Sequence, residues 1–227
     1  MYRSILFLLL AISICCLSSI HAKRVTGRSC QELKGKNVRK SGVYSIKPCQ
    51  SYPYKTVKVY CDMETDDGGW TIIQRRDNYT EQENFTRSWE AYANGFGSMN
   101  KDFWLGNDVI HCLTSQLPTT VRFDLEDFEG QTAWAKYSTF SVEDRDNLFK
   151  LEVTGYTGNA SDSFSNGRHN GKNSSKVDIR AMNNGDYDAP SYKGGWWYDA
   201  CHNVNLNGLY FEGGQSPYGV GVNWRYN

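Results

Sequence analysis

The chain is 227 residues long and carries 25 basic and 25 acidic side chains, a formal net charge of zero. With that balance and no basic stripe, nucleic acid is not expected as a partner. The length suffices for one large or two small domains with a real core.

Residues 1–22 read as a secretory signal peptide: Arg3 supplies the positive end, Ile5 to Leu17 the apolar run, and Ala22 the small residue before Lys23. The run is shorter than the roughly 20 apolar residues a membrane span requires. No later stretch is apolar enough to cross a membrane either. Cys15 and Cys16 leave with the leader, so Cys30, Cys49, Cys61, Cys112 and Cys201 remain. Five is an odd count, which leaves at least one cysteine unpaired or bridging to another chain. Sequons at Asn78, Asn84, Asn159 and Asn173 agree with a glycosylated, extracellular product. The short segment 23–29 has no room for a collagen-like or coiled-coil stem.

From Cys30 to about Arg76 the pattern predicts a small β unit. Val43–Ile46 and Lys55–Tyr60 alternate as half-buried strands, and Asp66-Asp67-Gly68-Gly69 forms a turn before a strand from Trp70 to Gln74. A second block mixes types. It holds a short helix over Phe85–Tyr92, a Ser98–His111 stretch in which Asn107 and Asp108 act as caps or turn formers, and strands over Val121–Leu125, Ala133–Phe140 and Phe149–Tyr156. Antiparallel sheet with helices on one face makes the fold class α+β. From Phe164 onward periodicity fades into Gly, Asn, Ser and Asp. Within that region Gly194–Phe211, GGWWYDACHNVNLNGLYF, packs tryptophans, tyrosines and a histidine between glycines, which suits an irregular, aromatic-walled pocket better than a helix.

No enzyme signature is present. HExxH, Gly-x-Ser-x-Gly, a phosphate-binding glycine loop and CxxC are all missing, and His111, His169 and His202 lack metal-ligand spacing. A binding protein, not an enzyme, is expected.

SCQELKG, SGVYSI, VYCDMETDDGGWTIIQRR, FWLGNDVIH, VRFDLEDFEG, GYTGNASDSF, the HNG at His169–Gly171 and KGGWWYDACHNVNLNGLYF occur in one order across residues 30–227. Together they resemble the fibrinogen-like C-terminal domain, and the stemless arrangement is most similar to the tachylectin-type, ficolin-related secreted lectins. The resemblance implies a small disulfide-bonded N-terminal part, a central twisted antiparallel sheet with helices, and a loop-rich part bearing the ligand site. It implies a Cys30–Cys61 disulfide. It also implies a pocket for acetyl groups of glycans made by Tyr192, His202 and Tyr218, with Trp196 and Trp197 in the aromatic wall. Gly219 stands where the family often has alanine and is expected to widen the cup slightly.

The departures are as informative. The family's calcium loop falls on Asp178, Arg180, Met182, Asn184 and Asp186, where a guanidinium opposes the ion and a thioether is too soft for it. No calcium or other cofactor is therefore assigned, a site shifted onto Asp178, Asp186 and Asp188 being the alternative. Asp188 occupies the place of the usual partner of Cys201, so Cys49 or Cys112 pairs with Cys201, or a leftover thiol joins two subunits as a homo-oligomer. The family continues through one more strand, so the chain reads as a fragment or an unusual transcript. The expected function is a secreted pattern-recognition lectin binding N-acetylated sugars on microbial or cell surfaces in innate defence or agglutination. The alternative is a protein-binding module of the same fold, a venom, haemostatic or signalling ligand that has lost the sugar site.

Overall fold

The computed structural model describes residues 25–49, 56–165, 169–174, 192–199, 202–213 and 216–225; the leader, Cys201 and the calcium-loop positions 178–188 lie outside them. The first element is a helix, α1 (Cys30–Gly35), too short for periodicity to disclose. Ser29 caps it, its hydroxyl accepting the Glu32 amide at 3.3 Å. β1 (Gly42–Ile46), β2 (Val57–Asp62) and β3 (Trp70–Ile72) then form an antiparallel sheet in that order. The strand expected over Trp70–Gln74 breaks at Ile73, whose carbonyl accepts the Leu105 amide at 2.9 Å. Beyond the break, β4 (Gln74–Arg75) joins a second sheet with β5 (Phe96–Gly97) and β6 (Phe103–Trp104), in the order β4-β6-β5.

The middle helix is α2 (Trp89–Asn94), starting later than the expected Phe85 because Ser88 caps it by accepting the Ala91 amide at 3.2 Å. Phe85 is instead a buried core residue ahead of the helix. α3 (Asn107–Thr114) begins after Gly106, whose φ of 104° favours glycine; Asn107 and Asp108 are its first residues rather than its cap. The central sheet is β7 (Val121–Glu126), β8 (Thr132–Val142) and β9 (Leu151–Gly158), antiparallel and in sequence order. In the loop-rich region only β10 (Val204–Asn205) and β11 (Asn223–Trp224) pair as strands among the described residues. The α+β class with three subregions is what the structure has.

Two apolar cores hold these parts. The smaller gathers Leu33, Ile46 and Val59 with Phe103, Leu105 and Val109, so the N-terminal sheet is sealed by residues of the middle block. The larger joins Tyr92, Trp104, Tyr137, Phe149 and Phe164 to Trp196, Trp197 and Val204. Asp66 adds a polar tie, reaching Lys136 at 2.8 Å and Arg122 at 3.5 Å on the central sheet. Cys30 pairs with Cys61, as the resemblance implied. Cys49 pairs with Cys112, which overturns the expectation that one of them bonds Cys201. The sequence separations are 31 and 63 residues. In the chain-entropy model each bridge stabilises the fold by about 4 kcal/mol.

A charged knot locks the helices onto the turn after β8. Arg145 donates to both oxygens of Asp108, from Nε at 2.8 Å and Nη2 at 2.6 Å, while Nη1 reaches both Glu90 oxygens at 3.0 Å. The Asp108 side chain is only 3% exposed. Removing its partner would strand a buried carboxylate. Arg145→Met is expected to lower unfolding free energy by about 3 kcal/mol in urea titration, and adding Asp108→Asn to the same chain is expected to recover part of that loss. Equal stability of wild type and Arg145→Met would show that the knot contributes nothing.

Candidate functional site

The segments carrying the predicted site residues have almost no ladder of their own, so side chains from the rest of the fold must satisfy their backbone groups. Two residues of β4 and its extension begin this. Gln74 donates to the Leu206 carbonyl at 2.9 Å, and the Arg76 guanidinium donates to the Gly208 carbonyl at 2.7 Å while lying 4.0 Å above the Phe85 ring. Burial pulls the pKa of Arg76 below its usual value.

His169 does the same from the other side. Its Nδ1 lies 2.8 Å from the Trp197 carbonyl, and its Nε2 receives the amides of Asn203 at 3.2 Å and Val204 at 3.1 Å. Because a carbonyl only accepts and amides only donate, the ring is held with its proton on Nδ1. The HNG triplet quoted for the resemblance thus has a physical role as a clamp on both ends of the segment that presents His202.

The hub is Asn205, fully buried. Its Nδ2 donates to the carbonyls of Tyr192 at 3.1 Å and Gly219 at 3.0 Å, and its Oδ1 accepts the Tyr198 hydroxyl at 2.7 Å. One carboxamide therefore joins three parts of the chain, and sequence reading missed it. The only signal was an asparagine in an aromatic run where no turn was required.

Around that hub the predicted residues separate. Tyr192 and His202 come together edge to face, with ring centroids 4.2 Å apart and Tyr198 5.6 Å from each. His202 Nε2 donates to the Gly219 carbonyl at 3.0 Å, while Nδ1 is buried with no hydrogen-bond partner among the described residues. Tyr218 occupies the corner of a turn closed by Val220 N to Pro217 O at 3.2 Å, with Gly219 next at a φ of 71°, the pattern of a type II turn. A corner residue points outward, and Tyr218 is 88% exposed.

Two expectations need correction. A Cβ on Gly219 would stand 2.7 Å from the Tyr192 ring and 3.0 Å from His202 Nε2, so the missing side chain does not widen a cup. It lets the turn close against both rings. Trp196 and Trp197 are 3% and 2% exposed, packed against Trp104 and Phe164, so they support the wall from the core and do not face a ligand. The calcium-loop positions Asp178, Arg180, Met182, Asn184 and Asp186 lie outside the described residues. Among the described residues no group of three or more His, Cys, Asp or Glu could hold a metal ion.

Two measurements check this geometry. Asn205→Ala removes one donor from each of the Tyr192 and Gly219 carbonyls and one acceptor from the Tyr198 hydroxyl, and is expected to cost about 2–4 kcal/mol in chemical denaturation; a loss below about 0.5 kcal/mol would remove Asn205 as the hub. Burial lowers the pKa of His202, partly offset by its bond to Gly219. A depressed folded pKa means this contribution to stability is present above the ordinary imidazole value of about 6.5 and is lost as pH falls through the lower folded value. A ring-proton NMR titration of His202 is expected to show a midpoint below 6.5; a midpoint at or above it contradicts the burial account.

Comparison with known proteins adds to this picture. Residues 26–226 match the family described as fibrinogen beta and gamma chains, C-terminal globular domain. Techylectin-5A of Tachypleus tridentatus is 47% identical over 197 residues, 86% of this chain and 67% of that protein. Ryncolin-4 of Cerberus rynchops is 40% identical over 198 residues, 87% of this chain but 55% of that one. The chain spans 43% of Fibrinogen C domain-containing protein 1 of Xenopus tropicalis, at 40% identity. Among solved structures, the fibrinogen-like globe domain of human ANGPTL2 superposes with a TM-score of 0.81 and 38% identity, covering 87% of this chain and 90% of that one. The motif order, the three subregions and these relatives agree: the chain belongs to the fibrinogen C-terminal globular domain family.

Proposed function

We propose that this protein is a secreted lectin that reads acetyl groups on glycans through Tyr192, His202, Tyr218 and Gly219. The observation that carries the reading is the convergence of Tyr192 and His202 on the turn that holds Tyr218 out in solvent. An acetyl methyl needs an aromatic face, and its amide or oxygen needs a main-chain partner. The half-buried ring pair supplies the floor. The exposed Tyr218 supplies a lip that can lie over a ligand, at the low entropic cost of a side chain with few rotors. A relative named as a techylectin supports the same reading, as do two disulfides suited to an oxidising extracellular compartment. One small pocket of this kind binds weakly, so function on a microbial or cell surface requires several copies acting together.

A second reading rests on a different observation. The fold superposes on the fibrinogen-like globe domain of ANGPTL2, and a tyrosine exposed at a turn corner is also suited to a protein contact. Retention on acetylated resin separates the two. Elution by free N-acetylated sugar supports the lectin, and indifference to the sugar supports protein binding. Tyr218→Ala is expected to reduce retention about tenfold, the equivalent of about 1.4 kcal/mol, with an unchanged thermal midpoint because the side chain is exposed. Retention equal to wild type would remove the site assignment.

A further inference from the structure

Of the four sequons, one is built into the edge of the proposed site. Asn84-Phe85-Thr86 precedes α2, and the Thr86 hydroxyl donates to the carbonyl of Lys193 at 2.8 Å. Lys193 follows Tyr192 directly. Asn84 lies two residues from Thr86, within about 7 Å along an extended chain, and adjacent Cα atoms are about 3.8 Å apart. The sequon asparagine is therefore a near neighbour of the Tyr192 rim. Asn84 is exposed, and its Oδ1 is engaged with the Thr86 amide at 2.9 Å, which leaves Nδ2, the atom that would carry a sugar, without a partner among the described residues. The buried Phe85 between them fixes the sequon in place. Among the described residues the other three sequons show no bond to that rim: the Asn159 Oδ1 accepts the Trp134 amide at the end of the central sheet, Asn78 sits beside Asp77, and Ser174 of the Asn173 sequon bonds to Leu148 and Asn107.

We propose that Asn84 is N-glycosylated and that its glycan lies across the Tyr192 side of the site, lowering its affinity for outside acetylated ligands. The proposal rests on the lectin reading. In the transfer, Asn84 Nδ2 bonds to the anomeric carbon of a lipid-pyrophosphate-linked oligosaccharide and loses one proton, and the lipid pyrophosphate leaves with the bonding electrons. Since the folded protein commits the Thr86 hydroxyl to Lys193, transfer precedes docking of that segment. The root sugars of such a glycan themselves bear acetamido groups. Tethered beside the rim, they are present at a local concentration on the order of millimolar, comparable to the weak affinity of one acetyl pocket.

The test uses the full chain secreted from a eukaryotic cell line, as wild type, as Asn84→Gln and as enzymatically deglycosylated wild type, the last guarding against a folding defect in the variant. Glycopeptide mass mapping is expected to find a glycan on Asn84. Removing it by either route is expected to raise affinity for acetylated albumin about two- to tenfold. Removal is also expected to speed acylation of the exposed Lys193 amine, a readout independent of sugar binding. An unmodified Asn84, or Lys193 labelling and albumin affinity that do not change on removal, would overturn the proposal. If Lys193 labelling speeds up but none of the three forms binds acetylated albumin, the lectin reading fails and the regulatory role fails with it, while the glycan's position stands.

Discussion

A carboxamide can donate twice and accept twice, and the side chain of Asn205 uses that capacity to do what a β-ladder does elsewhere in the molecule. Its donors hold the carbonyls of Tyr192 and Gly219, and its oxygen holds the Tyr198 hydroxyl. Chain segments that would otherwise have to bury unsatisfied polar groups are thereby joined. Everything that makes the region a candidate site follows from this: the approach of Tyr192 to His202, the closure of the turn against both, and the outward placement of Tyr218. His169, Gln74 and Arg76 repeat the device at its margins, each offering a buried or half-buried side chain to backbone carbonyls or amides.

The aromatic residues serve a second purpose. Trp196 and Trp197 connect the loop-rich region to the β4-β6-β5 sheet through Trp104 and to the central sheet through Phe164, and the Trp197 indole donates to the Phe149 carbonyl at 2.8 Å. Large rings that keep one polar atom can fill a core and still satisfy irregular backbone. Tyr198 belongs to the principal core and Tyr192 packs against it, so the half-buried Tyr192 and His202 rest on that core directly. Glycines complete the fit where rings come closest: a Cβ on Gly195 would stand 2.7 Å from the Tyr92 ring.

Much of the scaffold was legible because alternation reports one-sided burial. The strands around Val43, Val59, Phe123, Ala135 and Val153 were expected within a few residues of where they lie. Helix starts were less legible, since Ser88 and Gly106, not the apolar residues before them, decide where α2 and α3 begin. The short α1 gave no period to detect. The candidate site divides in the same way. The family resemblance put Tyr192, His202 and Tyr218 in one pocket, and the structure brings Tyr192 and His202 together. Nothing local distinguishes a tryptophan that lines a pocket from one that supports it, and so Trp196 and Trp197 were placed on the wrong side of the wall. Asn205 and His169 depend on partners distant in the chain, which a linear pattern does not reveal.

The two disulfides overlap in sequence. Cys30–Cys61 encloses Cys49, and Cys49–Cys112 encloses Cys61. Any backbone cut between Cys49 and Cys61 consequently falls inside both rings. The two pieces remain one covalent molecule, and only a reductant releases the amino-terminal peptide. A protease acting there outside the cell would nick the protein without dismantling it.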